Sequence, residues 1–160
     1  MAGCLGAAAC AKPSEEARAR ALLERAAASA EKREVAGLAE LFLPDYEDFE
    51  GRDKAGTVRL VGDYLARYRG VVIHVLGVRF KEIGPDGRAD VECEIALSHG
   101  AAEVLRKLLR VGSEYFRFRF ELRKDEAGAW RFFYAEWEEI GIYELLPESL
   151  DILRKLFPDL

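Results

Sequence analysis

The chain has 160 residues, half of them hydrophobic and a third charged, with 29 acids against 24 Lys and Arg for a formal charge of −5. That is enough chain for one domain with a substantial core, and an acidic balance without a basic face argues against nucleic acid as a partner. No run reaches the roughly 18 apolar residues of a membrane helix, and no repeat or low-complexity linker follows the first dozen residues.

The chain opens MAGCLGAAACAKPSEE, where small apolar residues and two cysteines give way abruptly to charge. The run lacks the basic start and the length of a complete secretory signal. Ala2-Gly3-Cys4 resembles the end of a bacterial lipoprotein signal, in which a large apolar residue and two small ones precede the cysteine that takes the lipid. Met1 stands in the large position. Two readings follow for residues 1–13. They are the tether of a cell-envelope lipoprotein lipidated on Cys4, its translation start lying upstream of Met1, or a flexible Ala/Gly-rich tail on a cytoplasmic protein. Association with a membrane is expected only through that lipid. The folded domain is residues 14–160.

Ser14-Glu15-Glu16 is a helix start, with Ser14 as N-cap and acids in the first turn. The helix runs to about Ala30, with Ala19, Leu22, Leu23 and Ala26 on one stripe. A second helix is expected from about Lys32 to Phe42, ended by Pro44. DYEDFEG is a short strand or turn. A third helix spans about Asp53 to Tyr68, with Val58, Val61, Leu65 and Tyr68 inward and Gly70 as its stop. The period then changes to two. VVIHVLGVRFKEI is a long strand, Gly84-Pro85-Asp86-Gly87 a turn, and RADVECEIALSH the antiparallel partner. In that partner Val91, Cys93, Ile95 and Leu97 alternate with charge, which makes Cys93 a buried structural thiol. AAEVLRKLLR reads as a short inserted helix. SEYFRFRFELRK alternates Phe116, Phe118, Phe120 and Leu122 against Arg117, Arg119, Glu121 and Arg123. Its rings and cations therefore lie on opposite faces, which disfavours a clamp for single-stranded nucleic acid. AWRFFYAEWEEI is the last long strand. Pro147-Glu148-Ser149 opens a final helix to Phe157 with Leu150, Leu153, Leu156 and Phe157 on one side. Its simplest placement is a lid across the open end of the domain, hinged at Tyr143 and Leu146.

Three helices, then hairpin-linked strands, then a closing helix imply an α+β fold: three N-terminal helices packed on a curved, mainly antiparallel sheet, plus a C-terminal helix over 147–157. LAELFLPDYEDFEG, YLARYRG and DEAGAWRFFYAEWEE resemble the nuclear transport factor 2-like superfamily. This is the cone fold shared by ketosteroid isomerases and SnoaL-type cyclases. The resemblance covers about Glu15 to Glu139 and implies a pocket between the helices and the sheet, lined by Tyr46, Phe116, Phe118, Phe120, Trp130, Phe132 and Tyr134.

By that resemblance Asp48, in Asp48-Phe49-Glu50-Gly51, stands where the isomerases carry a general base. It is otherwise a solvated turn acid or helix cap. The oxyanion partners are missing: the first helix has no tyrosine, and the inward positions of the fourth strand carry no acid. His74 shares parity with Val72, Leu76, Val78 and Phe80, as a core histidine or a catalytic one. Glu136 shares parity with Trp130, Phe132 and Tyr134 and would enter the cone, unless a bulge turns Trp137 inward instead. Asp48, His74 and Glu136 are the catalytic candidates. His99 is expected at the surface. No spacing fits a metal site, and no glycine-rich loop or nucleophile elbow indicates a cofactor or a serine nucleophile. The expected function is a non-catalytic domain binding a small apolar molecule or a protein partner. The alternative is an isomerase, cyclase or dehydratase. The expected state is a monomer or weak homodimer, because the outer sheet face bears Glu92, Glu94, Arg117, Arg119 and Glu121.

Overall fold

The computed structural model describes residues 13–68, 70–99 and 113–156. The lipobox-like stretch with Cys4, the helix expected in AAEVLRKLLR, and Phe157 lie outside the described residues. The elements run α1 (Glu15–Glu31), α2 (Val35–Ala39), β1 (Phe42–Asp48), α3 (Lys54–Arg67), β2 (Val71–Ile83), β3 (Arg88–His99), β4 (Ser113–Lys124), β5 (Trp130–Ile140), a short 3-10 turn (Ile142–Glu144) and α4 (Pro147–Leu156). The fold is α+β, with one five-stranded sheet ordered β1-β5-β4-β3-β2. The β2–β3, β3–β4 and β4–β5 pairs are antiparallel. Edge strand β1 runs parallel to β5.

Local chemistry sets the helix starts. The Ser14 hydroxyl accepts from the Ala17 amide at 3.1 Å, and the Asp53 carboxylate accepts from the Gly56 amide at 2.8 Å. Each satisfies an otherwise orphaned N–H of the first turn. Glu15 also ties α1 to the far end of the sheet, accepting from Trp130 Nε1 at 3.0 Å and pairing with Lys124 at 2.9 Å. The second helix is shorter than expected, because Phe42 already pairs with Phe132 as the start of β1. Pro44 lies within β1, at the sheet edge where a missing N–H is tolerated.

The inner face of the sheet packs on α1 and α2 through one large cluster that includes Leu22, Leu23, Leu38, Leu41, Val91, Cys93, Leu122 and Phe132. Register shifts decide which side chains join it, and two of them bear on the candidate residues. In β2 the register shifts between Val75 and Gly77, and in β5 it shifts around Phe133, where Leu122 pairs with Phe132 but Glu121 pairs with Tyr134. A bulge inserts one residue and so reverses the facing of everything beyond it.

The C-terminal helix is not a lid. It lies on the outer face of the sheet, opposite α1 and α3. There Leu145 and Leu153 bury against Leu76, Ala96 and Ile140. A Cβ on Gly77 would collide with the Ser149 hydroxyl, so the glycine at the β2 bulge lets α4 approach the sheet closely. Buried Glu94 secures the connection: its carboxylate accepts from Arg117 Nη2 at 2.7 Å and from the Leu146 amide at 2.8 Å. Glu148 adds an ion pair to Arg79. Tyr143, expected as a hinge contact, is fully exposed. The stripe predicted that α4 must bury itself, and the register of β2 decides where.

Candidate functional site

Between α1, α3 and the inner sheet face lies a cavity of about 360 Å³. Helix α1 contributes small residues, Ala26, Ala27 and Ala30, which leave the space. Helix α3 contributes Thr57, Leu60, Val61 and Tyr64. The floor is aromatic, with Phe116, Phe118, Phe120, Phe132 and Trp137, and it also includes Cys93. The rings pack on one another: Phe118 and Phe120 are stacked at 5.4 Å, and Phe120 and Phe132 are tilted at 4.8 Å. This is the inward face of the FRFRF alternation.

Of the seven expected pocket residues, Tyr46, Phe116, Phe118, Phe120 and Phe132 line this cavity. Trp130 and Tyr134 are corrections. Trp130 is sealed in the core beside the start of α1, its indole N–H held by Glu15. Tyr134 lies past the β5 bulge and so faces the other way. The same bulge settles the neighbouring pair: Trp137 lines the cavity, while Glu136 is on the outer face, 2.9 Å from Arg119.

The three catalytic candidates do not converge. His74 pairs with Ala96, whose side chain belongs to the outer cluster under α4, so the β2 bulge separates it from inward Val78 and Phe80. Asp48 is a buried carboxylate with four donors, neither a solvated turn acid nor an open acceptor. Its Oδ1 accepts from the Glu50 and Arg52 amides at 3.0 Å each. Its Oδ2 accepts from Arg52 Nε and the Thr57 hydroxyl at 2.8 Å each. A carboxylate offers about four lone-pair sites, so none is left over for a substrate proton.

The polar atoms on the lining are similarly committed. The Thr57 proton points to Asp48. The Tyr46 hydroxyl is covered by its neighbours; burial, only partly offset by the neighbouring Thr57 hydroxyl, pushes its pKa up to about 12. Burial likewise pushes the Cys93 thiol up to about 12, so it stays protonated. Residues not foreseen from sequence close one end. The Tyr64 hydroxyl donates to Glu114 Oε2 at 2.9 Å, and His99 Nε2 lies 3.5 Å from the same oxygen. The His99 ring stacks on Tyr68 at 3.9 Å and is mostly buried, a correction to its expected exposure. The parity of His99 with Leu97, and of Glu114 with Phe116, was the available signal. Among the described residues no group of His, Cys, Asp and Glu is arranged to hold a metal ion, and no helix is long and apolar enough to cross a membrane.

No protein-family model and no curated protein sequence matches the chain. Solved structures do. A candidate scytalone dehydratase from Novosphingobium aromaticivorans superposes with a TM-score of 0.63 at 16% identity, covering 79% of this chain and 85% of that one. An NTF-2 like protein of unknown function from Pseudomonas aeruginosa gives 0.63 at 17%, covering 78% and 99%. A candidate aromatic ring hydroxylase from Novosphingobium aromaticivorans gives 0.60 at 15%, covering 88% and 99%. Identities this low carry architecture and no chemistry. With α1–α3 enclosing an apolar cavity against a bulged five-stranded sheet, the chain has the cone fold of the nuclear transport factor 2-like superfamily.

Proposed function

We propose that this chain binds a small apolar molecule in the cavity between α1, α3 and the sheet, without acting on it chemically. The observation that carries the reading is the lining itself: an aromatic and aliphatic wall in which the Thr57, Tyr46 and Cys93 protons are committed, covered or held tightly. Such a cavity gains from displaced water and ring contacts. Among the described residues it offers no uncommitted base to a reaction. The names of two structural relatives suggest a dehydratase or hydroxylase reading, but a role for Asp48 as base would require it to shed Arg52 or Thr57 first. The test uses Trp137 as a built-in reporter. Titration with cyclooctane should give a saturable blue shift of tryptophan emission. Emission that is unchanged up to the solubility limit counts against the proposal. An envelope address through Cys4 belongs to the same reading and rests on the Ala2-Gly3-Cys4 resemblance alone.

A further inference from the structure

Resting on that reading, we infer that the ligand is a neutral amphiphile, with a hydrocarbon body in the cavity and a hydroxyl head donating to Glu114, and that Glu114 rejects the corresponding carboxylate. The two ends of the cavity differ. At the Thr57 end the lining presents no accessible hydrogen-bonding group among the described residues, since Thr57 is committed to Asp48 and the Tyr46 hydroxyl is covered. A polar head placed there would lose its hydration without replacement. At the Tyr64 end a carboxylate stands directly behind the wall. Tyr64 lines the cavity and donates to Glu114. Leu97 and Phe116, which also line the cavity, lie two residues from His99 and Glu114 on the same strand faces. Glu114 is not itself part of the wall, and its side chain is 38% exposed, so the head group reaches it by passing Tyr64. Among the described residues both of its contacts fall on Oε2, which leaves a carboxylate with acceptor capacity for a further donor.

The sign of the head group follows from charge. Burial, and then the Glu114 hydrogen bond, push the Tyr64 phenol far above its ordinary range, so it remains a donor to Glu114 and does not become an anion. A hydroxyl head can donate to the carboxylate. An anionic head meets a like charge, a repulsive element of the kind that sets specificity by exclusion. Among the described residues the facing groups are His99 from β3, Tyr64 and Tyr68 from α3, Glu31 at the end of α1, which accepts from the Ile73 amide at 2.7 Å, and Arg33 just after it, whose guanidinium donates to the Tyr68 carbonyl.

The experiment compares 1-octanol with octanoate at pH 8, read by Trp137 emission. Octanol should saturate the wild-type protein, and octanoate should bind at least tenfold more weakly. Any apolar cavity disfavours a carboxylate, so the decisive measurement is the variant. Glu114→Gln keeps the size and an acceptor for Tyr64 while removing the charge. It should strengthen octanoate about tenfold and weaken octanol, whose hydroxyl loses its carboxylate acceptor, so that the octanoate-to-octanol ratio rises more than about tenfold. A gain of binding does not arise from misfolding. An octanoate-to-octanol ratio unchanged by Glu114→Gln overturns the inference, as does cyclooctane binding without octanol binding, while the cavity reading stands in both cases. If neither cyclooctane nor octanol binds, both fall together.

Discussion

Replacing Asp48 by Asn separates a structural carboxylate from a catalytic one. The substitution removes one oxygen and the charge. The Glu50 and Arg52 amides can keep their acceptor at Oδ1. At the other position an NH₂ group would face two donors, Arg52 Nε and the Thr57 hydroxyl, each now 2.8 Å from an acceptor. Breaking a buried ion pair from one side costs about 3–5 kcal/mol. Arg52 is 28% exposed and can turn toward solvent or toward Glu50, which reduces the loss. A net destabilisation of about 2–4 kcal/mol follows. For a chain of this size that lowers Tm by about 5–15 °C. The assay is urea unfolding, with the midpoint moving and the slope unchanged. Residues strained for catalysis tend to stabilise a protein when replaced. An Asp48→Asn variant as stable as wild type, or more stable, would refute the structural account and revive Asp48 as a base.

Two further predictions concern alkali and address. Folded Cys93 and Tyr46 hold their protons to about pH 12, while the unfolded thiol releases near 9 and the phenol near 10. The unfolded state then binds fewer protons, so this stabilisation is complete below pH 9 and is lost as pH rises toward 12. The urea midpoint should fall steadily between pH 9 and 11, less steeply in Tyr46→Phe, and a flat profile would contradict the burial of these groups. For the address, protein expressed from its genomic locus should incorporate radiolabelled palmitate and lose the label in Cys4→Ser; absence of label in the unaltered protein would remove the lipoprotein proposal.

The parts of this fold that were legible in sequence are those with an uninterrupted period. The alternation Phe116, Phe118, Phe120 placed the aromatic floor, and Ser14 and Asp53 placed two helix starts through a single side chain each. What sequence hid were the bulges near Leu76 and Phe133. A bulge adds one residue and no composition signal, yet it moved His74, Tyr134 and Glu136 off the inner face and brought Trp137 onto it. The placement of α4 was hidden for a related reason. Its stripe of leucines demands burial somewhere, but its acceptor surface exists only after the β2 bulge turns Leu76 outward and Gly77 leaves room for Ser149. Glu94 looked like a solvent-facing charge, and only the folded chain brings Arg117 and the Leu146 amide to it. Asp48 was singled out by position, whereas its chemistry depends on Thr57, nine residues away on the next helix.

The central claim is that the cavity takes up a small apolar molecule, and Trp137 emission under cyclooctane tests it most directly. Trp137 lines the cavity, while Trp130 is sealed elsewhere and supplies a constant background. Ala27→Phe places a ring in the open space from α1 and serves as the blocked control. The account predicts a saturable blue shift in the wild-type protein that is absent in Ala27→Phe. A response that never saturates, or one identical in the blocked variant, would contradict it.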